Sequence, residues 1–196
     1  GSLNTEVGLP LTILSADANT KFLILEMGMR GKGHISTLAE IAEPDIGVVV
    51  NVGSAHIELL GSIENIAEAK SELVRALPAT GTAILNKDDP LVAKMSDSLN
   101  CEICTFGEGQ GSDFRASDLD IEPDGTTRFI ITHGGNSHQA HVQLVGPHYV
   151  SNALAAVSVC VCAGVPFETA CELLSQVNVI SKWRMEVTTA GNDVTV

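Results

Sequence analysis

The feature that most constrains this chain is an alternation. Short aliphatic, β-branched runs are separated by stretches whose apolar residues recur at helical spacing. A continuous apolar run marks a strand buried on both faces, and a helix between two such runs makes the crossover of a parallel sheet. Phe22–Leu25 (FLIL) predicts one buried strand, ending at Glu26 and followed by glycines. Ile46–Val52 (IGVVVNV) predicts a second, followed by Gly53, Ser54 and His56. Between them Ile35, Leu38, Ala39 and Ala42 keep helical spacing up to Pro44. A long helix is predicted from Ser62, its N-cap, to Leu77, with Pro78 beyond its end. Thr82–Leu85 predicts a third strand, and Asp88–Leu99 a helix with Pro90 in its first turn.

The pattern changes after Gly107. Residues 113–145 alternate polar and apolar, with turn signals at Pro123–Gly125 and Gly134–Gly135, which predicts a small antiparallel sheet. Helices return at Tyr149–Ala163 and Phe167–Val177, separated by Gly164 and Pro166. Trp183–Val196 reads as one or two strands of a further unit. The expected fold is therefore a three-layer α/β domain with a mainly parallel sheet plus a small antiparallel one.

Composition narrows the function. With 24 acidic against 11 basic residues the formal charge is −13, which argues against duplex nucleic acid and anionic membranes as partners. A small phosphorylated ligand stays open, because helix N-termini, backbone amides and Mg²⁺ hold phosphate without net positive charge. Aromatics are 4% of 196 residues, so the core must be aliphatic. No apolar run reaches the length of a membrane span, and no secretory signal pattern opens the chain. Five cysteines without small-scaffold spacing favour reduced thiols and a cytoplasmic location.

Several residues stand where chemistry is placed. Glu26 follows a predicted strand at the carboxyl edge of the sheet, as a Mg²⁺-holding acid does; an exposed loop acid is the plain alternative. His56 follows the next strand in the same way and would share a crevice, and a metal, with Glu26 if the strands are neighbours. Taken alone, a loop histidine is more often structural. Lys70 is the most informative. At roughly 100° per residue, Ile63, Ile66, Ala67, Leu73, Val74 and Leu77 share one helix face, and Lys70 falls near the middle of that stripe. Glu64, Asn65, Glu68, Ser71, Glu72 and Arg75 take the opposite face. A lysine pointed inward loses hydration and tends toward its neutral, nucleophilic form. It can then pair with a carboxylate, form a Schiff base, or add CO₂ to become a carbamate; the alternative is a packed stem with a head that snorkels out. Asn152 near a helix start reads as a cap or a ligand contact, and Arg184 as a phosphate contact or a solvated charge.

Other features carry less. Cys101-Glu-Ile-Cys104 lies in a strand-like run without a second pair, which argues against zinc or redox use. His133, His138 and His141 flank a hairpin turn and read as solvent-facing, while Cys160, Cys162 and Cys171 read as small core residues. Gly107, Gly109 and Gly111 lack the strand-to-helix setting of a dinucleotide fingerprint, and no G-x-x-x-x-G-K-[ST] phosphate loop occurs.

Read together, seven motifs resemble the Mur ligase family, in the family's order. They are LNTEVGLPLTIL (3–14), EMGMRGKGHI (26–35), VVNVGSAHIELLGS (49–62), IAEAKSELV (66–74), LNKDDPLV (85–92), GPHYVSNALAA (146–156) and SKWRMEV (181–187). EMGMRGKGHI is most similar to the branch of the family that adds D-alanyl-D-alanine. The resemblance implies an ATP-dependent amide ligase of cytoplasmic peptidoglycan synthesis, with UDP-MurNAc-tripeptide, D-Ala-D-Ala and ATP as small-molecule substrates. It implies a P-loop-type domain over 1–182 whose phosphate loop lies upstream of Gly1, and the start of a C-terminal domain at 183–196. The cofactors implied are ATP and Mg²⁺. Glu26 matches a first Mg²⁺ ligand, His56 a ligand of a second ion, and Lys70 the carbamylated lysine that helps hold that ion. Asn152 matches an adenine contact and Arg184 a phosphate contact. Asn86 and Asp89 fall in the nucleotide-side loop, and Asn4 and Thr5 in the region facing the UDP-sugar. Tyr149 departs from the Asn or Gln of many members, which turns that adenine contact into stacking. The expected partners are the N- and C-terminal domains of the same enzyme, the expected state is monomeric, and these 196 residues alone are expected to be catalytically silent. Two readings remain beside this one: a Mur-type or folylpolyglutamate-like ligase with another amino substrate, and a non-catalytic nucleotide-binding or regulatory fragment.

Overall fold

Pairing, more than apolar content, decides which runs become strands. The computed structural model describes residues 3–54, 57–146 and 148–177, with short strands at 189–190 and 194–195. These fall into two compact units that divide between Phe106 and Gly107, at the change of pattern seen in the sequence.

The first unit holds a parallel ladder of β1 (Ile46–Val49), β2 (Thr82–Asn86) and β3 (Glu102–Gly107), with Val49 opposite Leu85 and Leu85 opposite Thr105. Its helices are α1 (Gly8–Leu14), α2 (His34–Ala42), the single turn α3 (Ile57–Leu60), α4 (Ile63–Arg75) and α5 (Pro90–Ala93). A 3₁₀ turn, Lys94–Ser98, continues α5, so the helix expected over 88–99 is present but changes pitch halfway. Ser62 caps α4 as its sequence predicts, its Oγ accepting from the Asn65 amide at 3.2 Å. The apolar face of α4 packs on β1. Ile66, Ala69 and Val74 are buried in a core with Val49, Val52, Ala83, Leu85, Val92 and Met95, and burying a side chain such as Ile66 stabilises by about 1.5–3 kcal/mol. Gly47 in β1 permits the close approach of α4, because a Cβ there would meet Leu77 and Leu73 at 3.2 and 3.3 Å.

The strand expected at Phe22–Leu25 is not formed. The segment runs without a ladder partner, and Phe22 is 63% and Ile24 86% exposed. Among the described residues β1 ends its side of the ladder, pairing with β2 alone. The run has the composition of a buried strand, but composition cannot supply the neighbour that buries it.

The second unit carries the antiparallel sheet expected over 113–145: β4 (Phe114–Ile121), β5 (Thr127–His133) and β6 (Asn136–Val142). The β5–β6 turn is Gly134–Gly135, both at positive φ, as a two-residue hairpin requires. Helices α6 (His148–Cys162) and α7 (Phe167–Leu174) pack on this sheet and on each other. Phe114, Phe129, Ile131, Val150, Leu154 and Phe167 are among the buried residues of this unit, so its core is not the purely aliphatic one that the low aromatic content predicts. Two expectations are corrected here. His133 and His141 do not simply face solvent: His133 stacks on Phe114 at 3.8 Å between ring centroids, and His141 bonds Thr126 Oγ1 at 3.0 Å. Of the three cysteines expected in the core only Cys171 is buried, while Cys162 is exposed, because it lies at the last residue of α6. A short antiparallel pair, β7 (Thr189–Ala190) and β8 (Val194–Thr195), matches the strands expected near the C-terminus.

Candidate functional site

In the first unit the site is built at the point where β1 gives out. Beyond Val49 the ladder with β2 ends, and the next backbone groups need other partners. Side chains supply them. Asn86, at the last position of β2, donates from Nδ2 to the Val50 carbonyl at 2.9 Å. Lys70 donates from Nζ to the Asn51 carbonyl at 2.6 Å. The Val52 amide donates to Asp89 Oδ2 at 2.7 Å. Asp89 uses its other oxygen as the N-cap of α5, accepting from the Leu91 and Val92 amides at 2.9 and 3.3 Å. The structure thus gathers Lys70, Asn86 and Asp89 around residues 50–52, a grouping that sequence spacing does not show.

Lys70 is half-buried on α4, between the buried Ile66 and Ala69 on one side and Ser71 and Val74 on the other. Burial pushes its amine below the ordinary lysine value, and the charge of Asp89 opposes that shift. An amine with this bias is suited to add CO₂ and release a proton, which converts a cation into an anionic oxygen donor.

Glu26 is exposed and accepts from Asn4 Nδ2 at 2.9 Å. Asn4 also holds the following turn through its carbonyl, which accepts from the Gly28 amide at 2.8 Å. Gly28 is needed there: a Cβ would stand 3.0 Å from the Asn4 carbonyl oxygen. Thr5 accepts from the Gly8 amide at 3.3 Å and from that of Leu9 through its own carbonyl at 2.9 Å, and so opens α1. Asn4, which the sequence places on a substrate side, therefore contacts Glu26 directly. His56 and Arg184 lie outside the described residues.

The donor chemistry fits a hard cation. A carboxylate such as Glu26 is an oxygen ligand of the kind Mg²⁺ prefers, and Lys70 would offer one only as a carbamate. Among the described residues no three His, Cys, Asp or Glu side chains gather as a metal site.

In the second unit an apolar cleft opens beside α6. Val142, Leu144, Leu174 and Val177 line it with Tyr149 and Asn152, one turn apart on the helix. Tyr149 is half-buried and Asn152 exposed, so the cleft offers an aromatic face, aliphatic walls and one amide. Such a slot suits a flat heteroaromatic ring with polar edges.

The Mur ligase middle domain model matches residues 1–160. A UDP-N-acetylmuramoyl-tripeptide–D-alanyl-D-alanine ligase of Mycobacterium tuberculosis is 39% identical over all of this chain and 38% of its own length. The enzyme of that name from Bacillus subtilis is 37% identical over 91% of this chain and 38% of its own length. Among solved structures, MurF from Acinetobacter baumannii superposes with a TM-score of 0.91 at 27% identity, over 98% of this chain and 42% of that one. MurF from Thermotoga maritima in complex with ADP gives 0.80 at 29% identity, over 92% and 41%. The chain spans about two fifths of the length of these relatives. No helix among the described residues is long and apolar enough to cross a membrane. A middle-domain match over most of the chain, with the α/β fold to go with it, places this protein in the Mur ligase family.

Proposed function

We propose that this chain is the central part of an ATP-dependent ligase that joins D-alanyl-D-alanine to UDP-MurNAc-tripeptide. The observation that carries the proposal is the half-buried Lys70 amine bound to the Asn51 carbonyl, in a chain whose relatives bear that enzyme's name. Carboxylates are poor electrophiles near neutral pH. Transfer of the γ-phosphoryl group of ATP to the terminal carboxylate of the tripeptide gives an acyl phosphate and ADP. The free amine of D-Ala-D-Ala attacks the acyl carbon, an amide forms, a proton is lost and phosphate leaves.

Glu26, His56 and carbamylated Lys70 would hold Mg²⁺, which offsets the negative oxygens that crowd together during phosphoryl transfer. Asn4 keeps the Glu26 carboxylate in place through its amide. Thr5 is assigned with Asn4 to the UDP-sugar side. Asn152 hydrogen-bonds the adenine edge, Tyr149 stacks on its face and Arg184 reaches the phosphates. Residues 1–182 belong to the ATP-binding middle domain and 183–196 to the next. The enzyme works in the cytoplasm as a monomer, and these 196 residues turn over no substrate unaided.

The test is a phosphate-release assay on the full-length protein with ATP and UDP-MurNAc-tripeptide. D-Ala-D-Ala is expected to drive release, and single amino acids are not. Release driven equally by a single amino acid would replace the dipeptide by another amino substrate. No release with any of them would favour a non-catalytic binding role.

A further inference from the structure

We propose that Asn86 and Asp89 are positioning residues for the Lys70 amine, acting through the backbone of residues 50–52 instead of contacting nucleotide. The inference rests on the role given to Lys70 above and extends it to two residues that the motif alone places on the nucleotide side.

Three consecutive residues after β1 are each held by a side chain from elsewhere. Val50 is held through its carbonyl by Asn86, Asn51 through its carbonyl by Lys70, and Val52 through its amide by Asp89. Asn86 is 7% exposed, and its Oδ1 also accepts from the Asp88 amide at 2.9 Å, so both ends of its amide are committed. Val52 is itself buried in the core, which anchors the far end of the segment. The Asn51 carbonyl therefore sits between two fixed points. Because the Lys70 amine is bound to that carbonyl, its position follows the segment.

Capping alone does not account for Asp89. An N-cap needs one oxygen, and serine serves nearly as well as aspartate. The second oxygen of Asp89 is on the Val52 amide, in a different element. For Asn86, an isosteric carboxylate would keep the bond from the Asp88 amide and lose the donor to Val50. Each residue thus has a substitution that removes the clamp and keeps its local role.

The experiment uses the full-length protein with Asn86→Asp, Asp89→Ser and Lys70→Ala. The readouts are kcat, KM for ATP, melting temperature and amide hydrogen exchange over residues 50–54 without nucleotide. Asn86→Asp and Asp89→Ser are expected to fold and to lower kcat about 10- to 100-fold, with KM for ATP within about twofold. In Asp89→Ser the Val52 amide is expected to exchange at least about tenfold faster, since it loses its acceptor. A raised KM for ATP with unchanged kcat would make the two residues nucleotide contacts and overturn the proposal. Unchanged kcat, or unchanged exchange at Val52, overturns it too. If Lys70→Ala is inactive while both clamp variants turn over normally, this proposal alone fails. Full turnover by Lys70→Ala removes the role of Lys70 and the clamp with it.

Discussion

The Nζ of Lys70 lies 2.6 Å from the carbonyl oxygen of Asn51, the second residue past the end of β1. A helix side chain is thereby tied to the loop at the carboxyl edge of a parallel sheet, where open α/β folds place their ligands. Lysine suits the position because its stem packs while its head reaches the loop carbonyl.

That contact has a consequence for stability against pH. The native Lys70 amine is held below its ordinary value of 10.5, mainly by burial. Between the lowered native value and 10.5 the unfolded chain binds more protons than the folded one, so stability rises with pH across that window. Below the native value the charged amine carries its full desolvation cost. In CO₂-free buffer, urea midpoints measured from pH 7 upward are expected to rise for the wild type relative to Lys70→Met. Parallel curves for the two proteins would show that burial does not bias the amine.

Glu72 reaches from α4 to the first turn of α2, where its two oxygens accept from the Gly33 amide at 2.6 Å and the Ser36 amide at 3.0 Å. A carboxylate there satisfies orphan amides and faces the positive end of the helix. Glu72→Ala is expected to cost about 1–2 kcal/mol in urea denaturation, and Glu72→Gln about half of that. Equal losses for both variants would place the effect in packing and not in capping.

Gly47 sets how closely α4 sits on β1. Gly47→Val would improve the strand propensity but drives side-chain atoms into Leu73 and Leu77. A loss of about 1–3 kcal/mol is expected from overpacking. Stabilisation by the valine would mean that α4 shifts freely on the sheet.

The cleft beside α6 gives a prediction about binding. In the full-length protein Asn152→Ala is expected to raise KM for ATP about tenfold, since one hydrogen bond in a partly desolvated slot is worth about 1–1.5 kcal/mol, with little change in kcat. Tyr149→Leu keeps the apolar wall and loses the stacking face, so a smaller rise is expected. Steady-state kinetics with varied ATP separates the two.

Much of this was legible in the sequence, for physical reasons. The sequence of α4 gives its N-cap, most of its packed face and the odd placement of Lys70, although Ser71, read on the polar face, is buried. The two-residue alternation over 113–145 gives the antiparallel sheet, and the motif series gives the family. What failed depended on partners. Phe22–Leu25 reads as a strand because its own residues favour one, yet pairing is a property of two segments. Glu72 reads as a solvated charge on the polar face, because nothing in the spacing of α4 reveals that the start of α2 lies within its reach. The joining of Asn86, Lys70 and Asp89 around residues 50–52 was likewise invisible, since each of its three bonds has a backbone group at one end, which every residue carries.

The most direct measurement is turnover by full-length Lys70→Ala in the D-Ala-D-Ala-dependent phosphate-release assay, with and without added short carboxylic acids. If a carbamate on Lys70 supplies a metal-binding oxygen, the variant is expected to be inactive and to recover part of its rate as the acid is titrated in. Undiminished turnover without the acid would contradict the assignment of Lys70, and with it the centre of the proposed site.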